Sequence, residues 1–266
     1  MLEILNTVLF KASLSDVNVT EKFLNIYKEW ILSTRNNKIL GLDRFKFTNY
    51  SQGTTESFDK FYNRYHKKRF RIWKGEYSYH KITFESCEYN WKFLDDEELK
   101  PNDVIIISLP FADNGNSYRY EETLLKAEKM NIPVLVDCCW FGTCSGINFD
   151  FNYDCIDQVV FSLSKSFPVS RHRIGIRFSS SKDGLDDLNQ VNYVNNFSQH
   201  VGLHLLKVFS SDYIFNKYEA AQIKLCSKLQ VMPSNCVNLA TGDDSWKHLN
   251  RSGFFNRLCL SEELVK

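Results

Sequence analysis

Val134-Leu135-Val136-Asp137, then Ser162-Leu163-Ser164-Lys165-Ser166-Phe167, then Arg173-Ile174-Gly175, form the stretch around which the chain is organised. The first piece is a β-rich apolar run closed by one carboxylate. The second follows another such run, Asp157 to Leu163, and the arginine stands eight positions beyond the lysine. Each charge sits where a strand is expected to end. Upstream, Asp103-Val104-Ile105-Ile106-Ile107-Ser108 is a continuous apolar run suited to a strand buried on both faces. Tyr120 to Met130 carries a helical face of Leu124, Leu125 and Ala127. Strand, helix and strand over this span predict a parallel pair with a right-handed crossover, which sets Asp137 at a carboxyl edge where open α/β sheets bind ligands.

That ordered set resembles the fold type I pyridoxal-phosphate enzymes, the aspartate aminotransferase fold of aminotransferase class I/II. The resemblance implies an α/β fold with a mostly parallel sheet, pyridoxal 5'-phosphate as cofactor, and a homodimer. It implies that Lys165 carries the cofactor as a Schiff base, that Asp137 holds the pyridine nitrogen, and that Arg173 holds the phosphate, with Arg171 as an alternative. Ser162 and Ser164 are implied as further phosphate donors. The chemistry is consistent with these residue types: an amine condenses with an aldehyde, a carboxylate keeps a ring nitrogen protonated, and guanidinium and hydroxyl groups direct donors at a phosphate.

Further members of the set lie on both sides. At Gln52-Gly53-Thr54-Thr55-Glu56-Ser57 a strand passes through a glycine into an amphipathic helix, and the free N–H groups of a helix start suit an anion. Gly53, Thr54 and Thr55 match the family's phosphate-binding turn, although a threonine there is equally a plain N-cap. Tyr77 is expected to stack on the cofactor ring, with Tyr79 the alternative. The family's partners of the ring hydroxyl are replaced: Ala112 stands at the usual asparagine, with Asn114 two residues on, and Trp140 stands at the usual tyrosine. Arg257, in the strand-like Phe254 to Leu260, is expected to pair with a substrate carboxylate, with Arg251 the alternative. The implied activity is amino transfer between an amino acid and a 2-keto acid. Lyase, decarboxylase or racemase chemistry on the same site, or a non-catalytic binding protein of this fold, are the alternatives.

The chain has 266 residues, 43% of them hydrophobic, enough for a sizeable core. Its length is short for the family. The expected division is a small domain from 1–44 and 186–266 around a cofactor-binding domain at 45–185. Thirty-three Lys+Arg against 32 Asp+Glu leave a formal charge of +1, which gives no reason to expect nucleic acid or an anionic membrane as partner. The basic and aromatic run Arg64 to Lys74 reads as a solvated helix end entering a strand. No apolar run approaches a membrane span, and Met1-Leu2-Glu3 has no basic leader. Eight cysteines without a Cys-x-x-Cys pair point to reduced thiols in a cytoplasmic protein and to no metal site. His200 and His204 share a helical face but lack a carboxylate companion, so they read as polar helix residues.

Overall fold

The apolar runs at 103–108, 134–137 and 156–162 form the centre of a seven-stranded sheet. The computed structural model describes residues 19–265. In chain order these comprise α1 (Val19–Leu32), β1 (Lys38–Leu40), β2 (Phe47–Gln52), α2 (Gly53–Tyr65), β3 (Arg69–Ile72), α3 (Ser78–Ser86), β4 (Trp91–Phe93) and β5 (Asp103–Ser108). There follow α4 (Tyr120–Lys129), β6 (Val134–Asp137), β7 (Asn148–Asp150), β8 (Ile156–Ser162), β9 (Ile174–Ser179), α5 (Gly184–Gln190), α6 (Asn196–Val208) and α7 (Tyr213–Leu229). The chain closes through β10 (Met232–Pro233), β11 (Leu239–Gly242), β12 (Asn256–Cys259) and α8 (Ser261–Leu264).

The main sheet runs β2-β9-β8-β6-β5-β3-β4. Neighbours from β8 to β4 are parallel, while β9 is antiparallel to both β8 and β2. Two-residue alternation divides the central strands between two cores. Ile105, Ile107, Val134, Val136, Val159 and Phe161 face one side, beneath Phe23, Tyr27 and Trp30 of α1, Leu124 and Ala127 of α4, and Val201 and Leu205 of α6. Val104, Ile106, Leu135 and Val160 face the other, beneath Phe58, Phe61 and Tyr62 of α2 and Phe84 of α3. Both faces are covered, which is why these strands read as unbroken apolar runs. Burial of each such side chain contributes about 1.5–3 kcal/mol. A separate small core of Cys226, Val231, Ala240, Leu258 and Leu260 lies under the three-stranded sheet β10-β11-β12.

The expected β5-α4-β6 unit is present, with Ser108 opposite Asp137 in a parallel register. Three expectations need adjustment. Apolar side chains at Val17, Phe23, Leu24, Tyr27, Trp30 and Ile31 predict the helix α1 with a cap at Ser15 or Asp16, and that cap lies outside the described residues. The sequence from about Leu188 to Leu229 has a helical period, and the structure divides this region among α5, α6 and α7, because Asp183 closes a capping box on α5 and Asn195 caps α6 by accepting from Ser198 N–H. The run Arg64 to Lys74 is only partly solvated: Arg71 is fully buried and pairs with Asp103 at 2.7 Å, which also takes Arg69 at 2.6 Å. Two of the basic residues that suggested a charged surface are therefore neutralised inside the sheet edge.

Candidate active site

The carboxyl edge of the sheet opens onto a cavity of about 410 Å³. β6 ends on Asp137 and β8 on Ser162, and because β9 is antiparallel its first residues lie at the same edge, with Ser162 opposite Gly175. The loop between β8 and β9 thus carries Lys165 and Arg173 to the mouth that Asp137 floors. All three line the cavity, together with Thr54, Thr55, Tyr77, Trp140, Ser162 and Ser164. Lys165 Nζ lies 4.9 Å from the centre of the Trp140 ring, within the range of a cation–π contact.

Asp137 is fully enclosed, and burial raises its pKa to about 7 despite the N–H of Cys139, which donates to Oδ1 at 3.0 Å, and the nearby Lys165 charge. A buried carboxyl in this condition favours its ionised form as soon as a cationic partner arrives. Arg173 has a left-handed backbone (φ 53°), and its guanidinium donates to Thr55 Oγ1 at 2.8 Å and to Ser170 O at 3.1 Å. Ser162 and Ser164 bring their hydroxyls within 2.8 Å of each other. Hydroxyl, guanidinium and the start of α2 therefore converge on one side of the cavity. Such a set suits a phosphate.

Gly53 contributes clearance rather than a wall. Its φ is +68°, and a Cβ there would stand 2.4 Å from Arg173 Nη2, so glycine is what lets the guanidinium cross the start of α2. Gly53 is accordingly absent from the cavity lining, whereas Thr54 and Thr55 belong to it. Tyr77 directly precedes α3 rather than standing in a strand; it is 43% exposed and faces the cavity. Tyr79 turns away and donates its hydroxyl to Asp59 at 2.9 Å.

Asn114 is a correction. It is buried, its Oδ1 accepts from Asn116 N–H at 2.9 Å, and it is not part of the lining; Ala112 is. The Asn114 carboxamide oxygen is taken by the Asn116 N–H, and the side chain does not border the cavity. Arg257 and Arg251 both line the cavity. Arg257 donates from Nη1 to the Ala112 carbonyl, while its buried Nε has no partner among the described residues. Burial, followed by the Arg251 charge, lowers its pKa from the ordinary guanidinium value. An unsatisfied donor on a crowded cation is a ready site for an anion.

Sequence reasoning missed Glu76 and Cys139. Both line the cavity. Glu76 is buried, accepts from Ser108 N–H at 2.9 Å and from Ser108 Oγ at 2.5 Å, and burial pushes its pKa to about 8, with Asp137 adding to the rise. Its only signal in the sequence was its place directly before Tyr77. Asp113 was also missed: it accepts from the N–H groups of Phe254 and Phe255 at 2.9 and 3.0 Å and so ties the Ala112 turn to the approach of β12.

The donor set fits pyridoxal 5'-phosphate: an amine, a buried carboxyl, a phosphate-sized group of hydroxyls with a guanidinium, and an orphaned Arg257 donor share one cavity. Among the described residues there is no cluster able to hold a metal ion, and no helix long and apolar enough to cross a membrane.

Comparison with known proteins gives the same fold. No family model matches the chain, and no curated protein matches it by sequence. Among solved structures, a tyrosine aminotransferase of Leishmania infantum is 12% identical, with 97% of this chain and 85% of that chain covered and a TM-score of 0.69. A histidinol-phosphate aminotransferase of Clostridium acetobutylicum is 16% identical, with 91% and 78% covered and a TM-score of 0.62. A PLP-bound C-S lyase of Staphylococcus hominis is 13% identical at a TM-score of 0.63; the match covers 85% of this chain and 66% of the lyase. The chain therefore has the fold type I architecture of the pyridoxal-phosphate-dependent aminotransferases and C-S lyases.

Proposed function

We propose that the protein is a pyridoxal-phosphate-dependent aminotransferase acting between an amino acid and a 2-keto acid. The observation that carries this reading is the convergence of Asp137, Lys165 and Arg173 around one cavity, at the carboxyl ends of β6 and β8 and the amino end of the adjacent antiparallel β9. When bound, the cofactor supplies an aldehyde that condenses with amines and a ring that takes up an electron pair. Arg173, Thr54, Thr55, Ser162 and Ser164 would hold its phosphate, and Arg173 would exchange its present bond to Thr55 for one to the anion. Asp137 would accept from the ring nitrogen; its high pKa in the bare protein is the burden a cationic partner relieves. Tyr77 would cover one ring face.

Lys165 is the base placed to move the substrate Cα proton, and Trp140 holds its ammonium at the cavity wall between transfers. Arg257 would take the substrate carboxylate with its guanidinium at the cavity wall, which opposes loss of that carboxylate as carbon dioxide. We further propose a homodimer and a cytoplasmic protein, as the family resemblance implies. The fold likeness to a C-S lyase makes elimination the competing reading.

Half-reactions separate the two. The protein loaded with pyridoxal phosphate and mixed with single amino acids should release one equivalent of the matching 2-keto acid per site, and a second keto acid should restore the original spectrum. Release of ammonia with a thiol or an unsaturated acid, without stoichiometric keto acid of the same carbon skeleton, would assign the site to elimination.

A further inference from the structure

Cys144 and Cys236 face each other across an isolated antiparallel bridge. Peptide hydrogen bonds flank the pair rather than join it: Val237 N–H donates to Thr143 O at 2.8 Å, and Ser145 N–H donates to Asn235 O at 3.0 Å. This is the non-hydrogen-bonded register, in which opposed Cα atoms stand about 4.5 Å apart and their side chains leave the same face. Disulfides span Cα separations of about 4.4–6.8 Å. The backbone therefore already holds the two residues at a separation that a disulfide spans, although Cys144 Sγ now donates to Phe141 O at 3.2 Å. Both residues are buried and both are reduced.

The surroundings fix each half of the pair. Asn235 is held twice, donating from N–H to Asn116 Oδ1 and from Nδ2 to Ser145 O, each at 2.7 Å. Gln222 Nε2 donates to the Cys236 carbonyl at 3.0 Å. Gly115 packs so tightly that a Cβ there would stand 3.0 Å from Cys236 Cβ. Cys144 ends the turn after β6 that carries Cys139 and Trp140, while Cys236 precedes β11, which begins at Leu239 and pairs with the Arg257 strand β12. These are two walls of the candidate active site.

We propose that Cys144 and Cys236 form a disulfide site, oxidised by a peroxide, that staples the β11–β12 sheet to the loop after Asp137. One thiol gives up its proton, the thiolate attacks a peroxide oxygen and breaks the O–O bond to become a sulfenic acid, and the departing hydroxide takes up that proton as water. The second thiol then attacks that sulfur and displaces a second water. Two thiols and one hydrogen peroxide give one disulfide and two waters, with both electrons passing to the peroxide. Burial, followed by the neighbouring Cys236 thiol, keeps the Cys144 thiol protonated while the bridge is closed, so the reaction proceeds through brief openings and is slow. Once formed, the bond spans a long loop and constrains the unfolded chain.

The test treats the full-length reduced protein with excess hydrogen peroxide, blocks remaining thiols, and maps non-reduced peptides by mass spectrometry. The expected result is a peptide pair joined through Cys144 and Cys236, lighter by two hydrogens and released by dithiothreitol. The thermal midpoint should rise by about 5–10 °C in the oxidised protein. Cys144→Ser should abolish both effects, and Cys87→Ser, at an exposed position, should leave them intact. Oxidation of Cys87 without any 144–236 linkage in the wild type would overturn the proposal, as would a linkage joining other cysteines. The wild-type map decides the matter even where Cys144→Ser fails to fold.

Discussion

Glu76 lies against Ser108, and Ser108 is the register partner of Asp137, so two carboxyl groups share the floor of one cavity. Both have pKa values above their ordinary ones, about 8 against 4.5 for Glu76 and about 7 against 3.8 for Asp137, with burial as the main cause. In each case folding takes up a proton that the unfolded chain would have released. Stability is therefore highest at low pH within this window, falls as pH rises through it, and levels off above the folded values. Glu76→Gln keeps an acceptor for Ser108 N–H and offers an amide donor to Ser108 Oγ. Without cofactor, urea unfolding should show the wild type losing about 3 kcal/mol more than Glu76→Gln between pH ~5 and ~9. Equal losses in the two proteins would mean that Glu76 stays ionised in the fold. A single glutamate before a tyrosine carries no mark of this role, since burial under Ser108 depends on strand β5 lying beside it. The placement of Asp137 and Lys165 was legible because one ends, and the other closely follows, a strand whose apolar run is visible. Asn114 was misjudged for the opposite reason: aligning a turn by its proline does not say that its carboxamide will bond two residues onward.

At the scale of elements, the start of α2 and the loop before β9 depend on each other. Gly53→Ala would place a methyl group at the Arg173 guanidinium on a left-handed backbone, costing about 1–2 kcal/mol. The larger consequence is at the site: affinity for pyridoxal phosphate, measured by titration, should fall at least about tenfold, whereas Arg173 free to move aside would leave it unchanged. The glycine turn was readable as an anion site; its task of clearing Arg173 was not, because contact between residues so far apart exists only after β9 pairs with β2. The β3–β5 edge gives a second case. Burial works against the Asp103 charge, yet Arg69 and Arg71 hold its pKa below the usual carboxylate value. Asp103→Asn should destabilise the protein by about 3–5 kcal/mol in denaturant melts by leaving Arg71 buried without its counter-ion. A loss under about 1 kcal/mol would show that the surrounding carbonyls, which also accept from Arg71, suffice.

Across the whole molecule, the order strand, turn, helix and strand was enough to anticipate a mostly parallel sheet with its site at the carboxyl edge. The C-terminal segment was harder to read, because a three-stranded sheet with short strands has too few alternating positions to stand out. Yet this segment supplies Arg257 and Arg251 to the lining of the cavity. Lys165 is the proposed carrier of pyridoxal phosphate, and every other role assigned in the cavity depends on it. The direct measurement is the absorbance spectrum of the purified protein incubated with pyridoxal phosphate, before and after borohydride, beside Lys165→Ala. The prediction is a visible band in the wild type that borohydride converts to a permanent label on the peptide containing Lys165, with neither band nor label at that peptide in the variant. A folded wild type that shows no band, or a label on another lysine, would contradict it.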